Sequence, residues 1–123
     1  MNQLQTKVSN KVVAQIPANQ VEAILKAQSH HIIDVRNPQA IENQGGFPGA
    51  VNIPLETVDQ AIDKSNANYH PVFDNEGPFL FCCTGGVMSY MAAIKAQESG
   101  IKQVFNLEGG HAGWLKVKTG QEA

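Results

Sequence analysis

Apolar positions along this chain follow two rhythms, one helical and one extended. In residues 18–28, ANQVEAILKAQ, the apolar side chains Val21, Ala23, Ile24 and Leu25 gather like one face of a helix. In residues 31–36, HIIDVR, consecutive apolar positions point to both faces, which suits a strand buried inside a parallel sheet. The same reading gives a short β-rich run at 11–16, KVVAQI, and a short helix in NPQAIENQ with Pro38 near its start. GGFPGA is a turn, and AVNIPL, 50–55, is a third strand stopped by Pro54. Residues 56–65 repeat Val58, Ala61 and Ile62 at helical spacing, and 66–77 read as loop. PFLFC, 78–82, is a fourth strand, and 89–99 is a helix ended by Gly100. Residues 102–110 give a fifth strand, and HAGWLK a last helical turn.

Strands alternating with helices imply right-handed crossovers. The expected fold is therefore α/β: a five-stranded, mostly parallel sheet with helices on both faces. With 123 residues, the chain reads as a single domain over 1–123. Sheets of this kind place their chemistry at the carboxyl ends of the strands. Both cysteines of the chain, Cys82 and Cys83, stand at such an end.

Composition narrows the partners. The net charge is −2 and only 16% of residues are charged, without the clustered Lys and Arg that nucleic acid or an anionic membrane would favour. The opening stretch MNQLQTKVSN has no apolar core to act as a signal peptide, and no segment reaches transmembrane length. Two adjacent cysteines are no disulfide framework. The expectation is a cytoplasmic protein with free thiols.

Successive strand residues face opposite ways, so Cys82 and Cys83 have different roles. Cys82 continues the strand and is expected to pack as a small hydrophobe. Cys83 meets the loop TGGVM, where Gly85 and Gly86 let the backbone curl and its N–H groups converge. A helix starting near Ser89 adds its positive end. A thiol at that focus is held as thiolate, the reactive form. Inert buried cysteine beside a plain turn is the competing reading.

Four segments in order resemble the rhodanese domain, whose single-domain members are sulfurtransferases or sulfur carriers. They are IIDVRNP, GGFPGAVNIPL, the cysteine loop and FNLEGGHAGW, and the likeness covers about residues 12–116. The family's loop is Cys, two residues, Gly, one residue, Arg, Ser. Counted from Cys83 this chain reads Cys83, Thr84, Gly85, Gly86, Val87, Met88, Ser89; counted from Cys82, Met88 falls on the serine. Ala92 and Ala93 also keep the family spacing only from Cys83. The resemblance thus implies Cys83 as nucleophile, with Thr84, Gly85, Gly86, Val87, Met88 and Ser89 as the substrate-binding loop.

Three positions depart from the family: Met88 stands for arginine, Gly46 for a common histidine and Ala40 for a frequent glutamate. An arginine at 88 would bind the anionic end of thiosulfate. Its loss costs about 1.5–3 kcal/mol, roughly ten- to a hundredfold in rate. The expected function is sulfane-sulfur transfer through a persulfide on Cys83, with weak use of thiosulfate. The implied partners are a small sulfur donor (thiosulfate, polysulfide or glutathione persulfide) and a thiol or protein acceptor, with no cofactor and no metal. A non-catalytic rhodanese-like module that binds a protein is the alternative. Phosphatases of the same fold need a longer loop and an arginine at its end, and Arg36 is the single arginine of the chain.

Other candidates are weaker. Asp34 and Arg36 share one strand face, as an ion pair or loop anchor, with Arg36 a lesser candidate for biasing the site positively. His30, His31, His70 and His111 form no metal pattern, and adjacent cysteines are poor joint ligands. His111 is a candidate for the cleft mouth, though a surface position is the simpler expectation. Trp114 reads as core. A ring disulfide between Cys82 and Cys83 conflicts with their opposed directions.

Overall fold

The computed structural model describes residues 12–120. Lys11, at the start of the first expected strand, and the opening decapeptide lie outside the described residues. Five strands form one sheet: β1 (Ala14–Ile16), β2 (His31–Asp34), β3 (Val51–Asn52), β4 (Phe79–Cys82) and β5 (Val104–Leu107). Their order is β1-β5-β4-β2-β3, and all four pairings are parallel. The helices are α1 (Val21–Ala27), α2 (Pro38–Gln44), α3 (Val58–Ala61), α4 (Val87–Glu98) and α5 (Gly110–Thr119).

Strand alternation splits the core in two. Ile33, Phe79, Phe81 and Cys83 face one way and pack with Val58 and Ala61 of α3 and with Ala92, Ala93 and Ala96 of α4. Ile32, Leu80 and Cys82 face the other way and pack with Val21 and Ile24 of α1 and with Trp114 of α5. All four residues of β4 are buried, as a central strand covered on both faces requires. The three alanines let α4 lie close on the sheet. Trp114 is core, and its ring N–H donates to Glu22 of α1 at 3.0 Å.

Several element boundaries differ from the sequence expectation. The third strand is two residues long, yet its chain stays on β2: the N–H of Ile53 donates to the Asp34 carbonyl and that of Leu55 to the Val35 carbonyl. The helix expected over 56–65 shrinks to α3 after a 3-10 turn at Leu55–Thr57. The Asp63 carboxylate accepts from both the N–H and the hydroxyl of Ser65, a turn that competes with further helix. The 66–77 loop holds a 3-10 turn, Pro71–Asp74, that buries Val72 and Phe73. The last helical turn is a ten-residue helix closed by Gly120 in the left-handed conformation. α4 starts at Val87, two residues before the expected position.

Candidate functional site

Cys83 follows the last residue of β4 and sits under the start of α4. Its side chain is buried, and two backbone donors reach Sγ: the N–H of Gly86 at 3.1 Å and that of Ser89 at 3.3 Å. Gly86 makes this possible. Its φ is +97°, and a Cβ there would meet the Gly109 nitrogen at 3.0 Å and the Leu107 carbonyl oxygen at 3.1 Å. Gly85 carries no such demand, since a Cβ on it would meet nothing within 4 Å. One of the two loop glycines, then, is required by conformation.

Burial pushes the Cys83 thiol up. Ser89, then the N–H groups of Gly86 and Gly85, pull it down, and the net result lies below the ordinary cysteine value. Cys82 is the opposite case. It is fully buried in the other half of the core, and burial, with Asp34 next, raises its thiol well above the ordinary value. The neighbours in sequence thus differ in sign: the surroundings favour the anion at Cys83 and disfavour it at Cys82.

The remaining loop residues divide by exposure. The Thr84 hydroxyl donates to Gln44 Oε1 at 2.9 Å, an oxygen that also accepts from Arg36 Nη1 at 3.2 Å. Ser89 is buried, and its hydroxyl donates to Asn106 Oδ1 at 2.6 Å. Val87 and Met88 point to solvent at 71% and 41% exposure, with Met91 beside them at 51%. The rim where the family's cation would stand is therefore apolar and open.

The second glycine-rich segment supports the loop from below. The N–H of His111 donates to the Cys83 carbonyl at 2.8 Å, and that of Ala112 to the Thr84 carbonyl at 3.0 Å. The start of α5 thus takes up the carbonyls that β4 leaves unpaired as it ends. His111 is not at the surface, as the sequence suggested, but 2% exposed. Its ring meets Phe47 edge-on at 5.0 Å and Trp114 at 5.6 Å. Burial, then the Arg36 charge, lowers its pKa, which favours the neutral ring.

Arg36 is spent inside the fold. Its guanidinium grips Asp34 through Nε at 3.0 Å and Nη2 at 2.6 Å, with both residues 1% exposed. Of the two sequence readings this is the structural one, and no arginine faces the Cys83 rim. Among the described residues no group of three or more His, Cys, Asp or Glu is placed to hold a metal ion. Among them, too, no helix is long and apolar enough to cross a membrane. A large open groove of about 1170 Å³ runs past Phe79 and Gln103, at the amino ends of β4 and β5, away from Cys83.

Sequence reasoning missed Asn106, Gln44 and the supporting role of Gly110. Asn106 could have been suspected, as a polar residue inside an otherwise apolar strand. Gln44 and Gly110 left no comparable signal.

A parallel α/β sheet with a cysteine cradle beyond its central strand defines the class, and comparison gives the family. The chain belongs to the rhodanese-like domain family, whose model matches residues 17–117. It is 28% identical over 108 residues to the thiosulfate sulfurtransferase/rhodanese-like domain-containing protein 3 of Mus musculus, covering 84% of this chain and 69% of that protein. It is 28% identical over 99 residues to the thiosulfate sulfurtransferase GlpE of Shewanella oneidensis, covering 80% and 89%. A solved structure from Rhodopseudomonas palustris, described as a protein of unknown function and possible tyrosine phosphatase, superimposes with a TM-score of 0.82 at 30% identity. That match covers 86% of this chain and 82% of the other.

Proposed function

We propose that the protein is a sulfurtransferase that carries sulfane sulfur as a persulfide on Cys83. The observation that carries this reading is the pair of N–H donors, from Gly86 and Ser89, on the Cys83 sulfur. The thiolate attacks the outer sulfur of a persulfide or polysulfide donor. A new S–S bond forms on Cys83, the donor's own S–S bond breaks, and the donor leaves as a thiolate or a shorter polysulfide. An acceptor nucleophile then attacks the outer sulfur of the Cys83 persulfide and releases the Cys83 thiolate. Electron count is conserved in each step, so neither needs an external oxidant. The backbone donors stabilise sulfur anion in the resting and the loaded state, as an oxyanion hole does for oxygen.

Thiosulfate fits this site less well. Its leaving group is sulfite, whose charge needs a cation at the rim. Met88 supplies none, and Arg36 is held by Asp34. The same lack of a free arginine weighs against phosphate-ester chemistry, although a structural relative is described as a possible tyrosine phosphatase. A second reading, a rhodanese-like module that binds a protein without turnover, is favoured by the exposed Val87, Met88 and Met91 beside the loop.

Incubation with polysulfide followed by mass spectrometry separates the two. A carrier gains one sulfur atom on Cys83 and loses it to an added thiol. A protein that gains none refutes the carrier reading and leaves the binding module.

A further inference from the structure

The Cys83 cradle is built of main chain, and main chain must be held by something. Asn106 of β5 is completely buried, and each hydrogen-bonding group of its amide is engaged. Nδ2 donates to the Gly86 carbonyl at 3.0 Å and to Gln15 Oε1 of β1 at 2.8 Å, while Oδ1 accepts from the Ser89 hydroxyl at 2.6 Å. Gly86 and Ser89 are the residues whose N–H groups reach the Cys83 sulfur.

The orientation of this amide is forced. The Gly86 carbonyl is an acceptor only, so the nitrogen of Asn106 must face it. The oxygen then faces Ser89, and the hydroxyl must donate its single proton there. A flipped amide would set oxygen against oxygen at Gly86 in a buried place, where an unmade bond costs most. The Ser89 hydroxyl is consequently committed to Asn106, and the sulfur is held mainly by the two N–H groups.

We propose that Asn106 is the positioning residue of the cradle: from the sheet beneath, its amide fixes Gly86 and Ser89 so that both N–H groups converge on Cys83. It touches neither sulfur nor substrate and acts through the loop. The proposal rests on the reading of Cys83 as the sulfur-carrying nucleophile, but its test does not require sulfur transfer.

The measurement is the rate of Cys83 alkylation by iodoacetamide as a function of pH, on the full chain. Asn106→Leu keeps the branched shape and removes the bonds, and alkylation at pH 7 is expected to slow about tenfold, with the midpoint moving up by about one unit. Asn106→Ser also removes the clamp, leaves room for a water, and serves where the leucine variant does not fold. Gln15→Ala removes the outer partner of the same amide and leaves the Gly86 bond, so its profile is expected within about twofold of the wild type. A folded Asn106 variant with an unshifted profile overturns the proposal. So does a Gln15→Ala profile shifted as far as that of Asn106→Leu, because general loosening of the sheet would then explain both. Wild-type protein that takes no sulfur from polysulfide overturns the proposed function instead, and leaves the alkylation result to stand or fall alone.

Discussion

Gly110 lies so close to Cys83 that a Cβ built on it would stand 2.5 Å from the Cys83 carbonyl oxygen, and equally near that of Thr84. Its φ of +62° is itself unfavourable for any residue with a side chain. The obstructing atoms are backbone, which cannot swing away. Gly110→Ala is expected to destabilise the fold by more than about 2 kcal/mol, from strain and displacement together. Gly85→Ala, exposed and free of neighbours, is expected to be neutral within about 0.5 kcal/mol. Urea unfolding of both variants checks the contrast; equal losses would mean that the α5 start does not bear on the loop.

The two cysteines make a second test. Cys83→Ser is expected to abolish persulfide formation. Cys82→Ala is expected to keep most of it, at a stability cost of about 1 kcal/mol for the small cavity left in the α1 and α5 half of the core. Mass spectrometry of each variant after polysulfide treatment reads the outcome. Exchange of the two phenotypes would move the nucleophile to Cys82.

Titration supplies a third. Cys83 ionises below its ordinary value in the folded protein, so folding is favoured increasingly as pH rises from that lowered value to about 8.5, where the unfolded thiol ionises. Cys82 has the opposite sign, since its thiol is raised and stability is lost as pH climbs above about 8.5. Relative to Cys83→Ser, the wild type is therefore expected to gain stability between neutral pH and about 8.5. Denaturant midpoints for the pair across that range measure the gain, and a flat difference would refute the stabilised thiolate.

Donor choice is the fourth. Met88 is 41% exposed, which leaves an arginine at the same position a path to solvent at the rim. Met88→Arg is expected to raise thiosulfate turnover about ten- to a hundredfold and polysulfide turnover much less. Steady-state rates with both donors decide it. An equal loss for both would assign Met88 a packing role that its exposure does not suggest.

Periodicity and loop chemistry made the five strands, the parallel order of elements and the opposed cysteines legible beforehand. Those features follow from neighbours in sequence: IIDV and FLFC alternate faces, and Gly86 must bend the chain beside Cys83. What stayed hidden depends on distant partners. His111 looked like a surface residue because nothing local announces that Phe47 and Trp114 close over it. Val58–Ala61 is short because Asp63 captures Ser65, a competition that helical spacing does not register. Asn106, 17 residues beyond Ser89, meets it only across the sheet.

The grip on the Cys83 sulfur comes from backbone N–H groups, while the side chains of Val87 and Met88 point away from it. Reactivity and selectivity are consequently separate properties of this loop. Substitutions at positions 87 and 88 that suit a helix start are expected to leave the anion holder beneath them in place. Under the proposed function the rim is therefore the adjustable part: rewriting these two residues is expected to change which donor is welcomed while the N–H donors on the sulfur stay in place.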